Sequence, residues 1–66
     1  MLTQREHDVL KLICKGYTNQ EIAKELFIPP HTAKAHVASI IRKFGVDNRT
    51  LVVCYAIKHK LVDLDI

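Results

Sequence analysis

His31, Lys34, Ala35, Ala38 and Arg42 are spaced so that a helix gathers them within an arc of about 100°, and together they combine positive charge with bare methyl groups. Such a face suits a polyanion that must be approached closely. A lysine at position 34 has the reach for the O6 and N7 acceptors of guanine, the Ala35 methyl can meet the methyl of thymine, and Ala35 and Ala38 keep the face low enough for the backbone to near base edges. Arg42, Lys43 and Arg49 then read as phosphate clamps that set register. A helix start near His31 and Thr32 offers N–H groups and a positive dipole end to a further phosphate.

Other chemistry finds no support in the spacing. His31 and His36 stand about 140° apart on a helix, so they cannot chelate one metal as an i, i+4 pair would, and His7 and His59 add no ligand spacing. There is no Ser/His/Asp set, paired-carboxylate cleft or Gly-rich phosphate loop. The sequence thus predicts no catalytic residue, metal, cofactor or small-molecule ligand. Cys14 and Cys54, without a C-x-x-C, read as small buried or half-buried thiols of a reducing compartment. With no apolar run of membrane-spanning length and no leader-like start, a cytoplasmic protein off the membrane is expected.

The size of the chain points the same way. Its 66 residues make one domain, 1–66, and a domain this small buries only about 60% of its unfolded surface, which favours a binding module over an enzyme. The formal charge of +3 is not spread evenly. Basic and acidic residues balance in 1–30, and again in 50–66 where Lys58 and Lys60 face Asp63 and Asp65. The surplus lies in 31–49, where Lys34, Arg42, Lys43 and Arg49 face only Asp47.

Four helices must position these groups. Thr3-Gln4-Arg5-Glu6 and Thr18-Asn19-Gln20-Glu21 are capping boxes, each followed by apolar residues at helical spacing. They predict helices over about 4–15, closed by Gly16, and 19–26, ended by Phe27-Ile28-Pro29-Pro30. A third helix over 30–44 starts on proline rigidity at Pro29-Pro30 and points Ala33, Val37, Ile40, Ile41 and Phe44 at the core. Gly45 closes it, Asp47 or Asn48 caps a fourth over 48–59, and the fold class is all-α, a four-helix bundle-like helix-turn-helix domain. Ala23 lets the two helices of that motif cross closely, and Ile28 plugs the angle between them. On the fourth helix Val52, Val53, Ala56 and Ile57 suffice for packing, while Leu51, Cys54, Tyr55 and the stem of Lys58 leave apolar surface for a partner.

The string Leu2-Thr3-x-Arg5-Glu6-x-x-Val9-Leu10-x-Leu12-Ile13-x-x-Gly16-x-Thr18-Asn19-x-Glu21-Ile22-Ala23-x-x-Leu26-Phe27-Ile28 resembles the LuxR/NarL-type (GerE-like) helix-turn-helix domain. The resemblance continues through Thr32-x-Lys34-x-His36, Ile40-x-x-Lys43-x-x-Val46-x-Asn48-Arg49-Thr50 and Tyr55-Ala56-x-x-His59-x-Leu61-Val62, and so covers essentially the whole chain. It implies a bacterial transcription-factor domain whose third helix reads the major groove of double-stranded DNA and whose fourth dimerises. The implied base-reading positions fall on Lys34, Ala35 and Ala38, and Thr32 matches a position that touches phosphate. Ala38 stands where many relatives carry lysine or another polar residue, so readout there rests on methyl contact or groove shape.

The expected function is sequence-specific binding to promoter or operator DNA as a homodimer on paired half-sites, through the C-terminal effector domain of a response regulator in a two-component system. RNA polymerase is a further candidate partner. Two alternatives remain open on the sequence: a stand-alone small regulator, and a helical dimerisation or protein-interaction module whose basic face is incidental.

Overall fold

The computed structural model describes residues 1–63, and among them the helices are α1 (Gln4–Cys14), α2 (Asn19–Leu26), α3 (Pro30–Phe44) and α4 (Arg49–Lys58), with no strand. The last three residues of the expected domain, Asp65 included, lie outside the described residues. Both capping boxes form in full. The Thr3 hydroxyl accepts the Glu6 N–H at 3.1 Å and the Glu6 carboxylate accepts the Thr3 N–H at 2.9 Å; Thr18 and Glu21 repeat the exchange at 3.2 and 2.8 Å. Of the two candidate caps for α4 the structure uses Asn48, whose side chain accepts the Leu51 N–H at 3.0 Å. Such caps contribute about 1 kcal/mol each.

α3 starts without a side-chain cap. Pro29 is extended (φ −64°, ψ 149°) and Pro30 occupies the first helical position, so ring geometry fixes the start as the sequence predicts. α1 ends one residue earlier than expected, with Lys15 as its cap and Gly16 in positive φ behind it. Gly45, at φ +68°, closes α3 by sending its N–H back to the Arg42 carbonyl. α2 stops for a reason the sequence reading assigned to the prolines. Phe27 adopts the left-handed conformation (φ 57°, ψ 45°), which costs a non-glycine residue about 1–2 kcal/mol. That kink lets the Ile28 N–H bond the Ala23 carbonyl at 3.0 Å and seats the Ile28 side chain against the core, while the Phe27 ring is left 94% exposed.

α3 is the central element, packed against each of the other three helices. Its buried stripe is Ala33, Val37 and Ile40, with Ile41 and Phe44 half-buried beside it, as the periodicity predicts. Val9, Leu10, Leu12 and Ile13 of α1, Ile22 and Ala23 of α2, and Val52 and Ala56 of α4 complete the core. Ala23 and Ala33 present one methyl each, which brings the two helices of the motif close together.

Candidate nucleic-acid interface

Opposite the buried stripe of α3, the structure exposes His31, Lys34, Ala35, Ala38 and Arg42 together, with Thr32 half-buried at the flank. Among the described residues none of the His31, Lys34 and Arg42 side chains makes a hydrogen bond or ion pair with the protein, so their charge and donors face outward. Ala35 and Ala38 put no side chain beyond a methyl between them. At the helix start Pro30 has no N–H, and the Thr32 N–H is taken by the Pro29 carbonyl at 3.0 Å. The His31 N–H is then the donor left over, one where the sequence reading expected several. His36 sits half-buried on another side.

Two of the expected phosphate contacts are engaged inside the fold. Lys43 is paired within the fold instead of free: its ammonium lies 2.7 Å from Oε1 of Glu6 and 3.2 Å from the Met1 carbonyl, turned toward α1. Arg49 is half-buried and donates to Asn19 Oδ1 at 2.6 Å and to the Tyr17 carbonyl. No Cα of α2 lies within 8 Å of a Cα of α4, so this one guanidinium spans from the first turn of α4 to the start of α2. Two of its five donors are committed and the rest remain.

Glu6 does more than its local cap announces. Among the described residues it is the buried charged one, 5% exposed, and it accepts from Lys43, from Ser39 Oγ at 2.5 Å and from the Thr3 N–H. The Lys43 and Ser39 bonds hold its carboxyl at about 2, well below the usual carboxylate range, against the opposing pull of burial. Read as a local cap, Glu6 gave no sign of this. The available signal was a carboxylate one turn into an apolar helix face, with a spare oxygen.

On α4 the outward residues are Leu51, 39% exposed, with Cys54 and Lys58. Tyr55 is half-buried, stacked on Phe44 with centroids 4.2 Å apart and 21° between planes, and against His59 at 4.2 Å. Its ring is occupied within the domain. Ile57, expected on the packing side, is instead 48% exposed beside Cys54, because Val52 and Ala56 fill the contact with the core. Cys14 is half-buried, and desolvation pushes its thiol pKa up; Cys54 is exposed, against the expectation of burial.

An open groove of about 370 Å³, lined by residues that include Leu2, His7, Lys43, Phe44 and Tyr55, brings no reactive pair together. Its lysine is bound to Glu6, and a His7 ring nitrogen lies 3.2 Å from the Leu61 carbonyl. Among the described residues no three His, Cys, Asp or Glu side chains are grouped to hold a metal ion, and no helix is long and apolar enough to cross a membrane.

Known proteins resemble the chain over nearly all of this framework. A family model described as bacterial regulatory proteins, luxR family, matches residues 1–56. The response regulator protein VraR of Staphylococcus aureus is 50% identical over 62 residues, 94% of this chain and 30% of VraR. Among solved structures, the transcription factor GerE superimposes with a TM-score of 0.88 at 28% identity, covering 97% of this chain and 96% of GerE. The response regulator ChrA of a heme-sensing two-component system also gives a TM-score of 0.88, at 37% identity over 94% of this chain and 31% of ChrA. The chain spans under a third of the length of the curated relatives it matches.

Proposed function

The chain belongs to the luxR family of bacterial regulatory proteins, which are DNA-binding transcription factors and not enzymes, and from that membership we propose that it reads duplex DNA with α3 in the major groove. The observation that carries this reading is the outer face of α3, where cations without internal partners flank two bare methyls. Lys34 donates to guanine O6 or N7, the Ala35 methyl meets thymine, and Ala38 admits the close approach that both contacts need. Thr32, His31 and Arg42 hold phosphates, and the uncommitted donors of Arg49 reach one more from the start of α4. Lys43 leaves this set because its charge is spent on Glu6.

We further infer that residues 1–66 form one domain, that it is the C-terminal effector of a response regulator, a reading supported by its likeness to the response regulators VraR and ChrA, and that it works as a homodimer. Leu51, Cys54 and Lys58 follow i, i+3, i+7 spacing along the exposed side of α4, a seam that a second copy can match about a two-fold axis. Tyr55 borders that seam while remaining stacked on Phe44. Two copies on half-sites one helical turn apart gain avidity that a single short reading helix lacks. RNA polymerase is the onward partner in this reading.

The test is binding to a duplex that the wild-type chain selects from a randomised pool, against a scrambled duplex, over a range of salt. Lys34→Ala should lower selected binding by roughly ten-fold or more and erase the preference, whereas Arg42→Ala should weaken both duplexes and reduce the salt slope by about one. Equal loss on both duplexes for Lys34→Ala removes it from base reading. Binding that ignores salt favours instead a helical interaction module with an incidental basic face.

A further inference from the structure

The chain uses one capping motif twice and asks more of one copy than of the other. Glu21 accepts the Thr18 N–H at 2.8 Å, stays exposed, and its carboxylate makes no other bond among the described residues. Glu6 accepts the Thr3 N–H at 2.9 Å on Oε1, but it is buried and also takes two donors from α3, Lys43 on Oε1 and Ser39 on Oε2. A cap needs only one oxygen. The additional bonds reach 33 and 37 positions along the chain to the helix that carries the outward cations.

Their place on that helix is what matters. Ala33, Val37 and Ile40, with half-buried Ile41 and Phe44 beside them, form an apolar stripe about 100° wide, and because apolar burial has no direction the stripe restrains rotation of α3 about its axis less sharply than a directional bond does. Lys43 and Ser39 lie between the stripe and the outer face, and Ser39 is one turn below Ala35 and about 40° around from it. With side chains ending about 5–6 Å from the axis, a 20° rotation would displace them by about 2 Å. A hydrogen bond tolerates only about 0.5 Å. Two directional bonds to a carboxylate on α1 sharpen the restraint that the stripe begins.

We propose that Glu6 is a positioning residue for DNA reading: by gripping Ser39 and Lys43 it fixes the rotation of α3, and with it the arc of Lys34, Ala35 and Ala38 presented to the bases. This rests on the DNA-reading function above. The test compares Glu6→Gln, Ser39→Ala and Glu21→Gln on the selected and scrambled duplexes, with helix content followed by circular dichroism. Glu6→Gln should lose about ten-fold of the selected-to-scrambled ratio, the order of one mismatched base pair, and Ser39→Ala a smaller amount in the same direction, both at wild-type helicity. Glu21→Gln should keep the ratio, because its cap is local.

A purely structural Glu6 would weaken both duplexes in parallel and leave the ratio alone. Retention of the ratio by folded Glu6→Gln and Ser39→Ala, or its equal loss in Glu21→Gln, overturns the proposal. Should Glu6→Gln fail to fold, Ser39→Ala decides, since it leaves the Thr3 cap and the Lys43 bond in place. A wild-type chain that enriches no sequence from the pool overturns the DNA-reading function itself, and the positioning role with it.

Discussion

Replacing Glu6 by glutamine should cost stability at neutral pH and almost nothing in strong acid. The folded carboxyl titrates at about 2 against an ordinary 4.5, and at 1.36 kcal/mol per pH unit that gap sets an upper bound of about 3 kcal/mol. The Lys43 side chain is 36% exposed, so water screens part of the attraction and roughly 1–2 kcal/mol is the expected contribution. Because the folded value is depressed, the contribution is complete above the unfolded value of 4.5 and disappears as pH falls through 2; by about pH 3 more than half of it is gone. Urea unfolding followed by circular dichroism on wild type and Glu6→Gln, at about pH 7 and again near pH 3, isolates this group because every other carboxyl is common to both chains. The stability difference should shrink by about half or more between the two conditions. A difference that stays constant, or is absent near pH 7, would show that the Glu6, Ser39 and Lys43 bonds add no net stabilisation, and the account of how α1 holds α3 would fall.

Three other outcomes follow from the packing. Leu51→Glu changes an exposed residue of α4 and should leave unfolding within about 0.5 kcal/mol of wild type, while binding to a two-half-site duplex drops to the single-site level; a wild-type chain that sediments as a strict monomer both on and off DNA would refute the α4 dimer. Phe27→Asn relieves a left-handed backbone that asparagine tolerates, and the ring it removes is 94% exposed, so little packing is lost and the domain should be stabilised by about 0.5–1 kcal/mol in the same urea assay. Arg49→Ala unpairs the Asn19 side chain and the Tyr17 carbonyl and should cost about 1–2 kcal/mol, with Arg49→Lys failing to restore it because an ammonium lacks the forked geometry.

What could be read from the sequence was whatever is encoded within a few residues. Thr3 with Glu6, Thr18 with Glu21, Asn48, and glycines at 16 and 45 mark helix ends through bonds three or four positions long, and the apolar period of α3 fixes which side faces inward. Contacts between residues far apart in the chain leave no such local mark. Glu6 looked complete as a cap because its α3 partners lie more than thirty positions away, and the same contact pairs the Lys43 ammonium within the fold. Residues 51–57 of α4 are apolar almost without interruption, so no periodicity distinguishes its sides. Val52 and Ala56 do pack inward as expected, whereas Ile57, expected beside them, stays out. Phe27 carried no sign of its left-handed backbone, since asparagine or glycine is the usual marker there.

The bare methyls of Ala35 and Ala38 have an evolutionary consequence. Both are exposed and neither belongs to the core, so either position can accept a larger or polar side chain without repacking the core or disturbing a cap. Changes in target preference can therefore accumulate one residue at a time on an unchanged scaffold. The restraint on such drift is asymmetric: Lys34, Ala35 and Ala38 are free to vary in chemistry, while the Glu6, Ser39 and Lys43 set must stay together for any alphabet written on that face to be presented at the same angle.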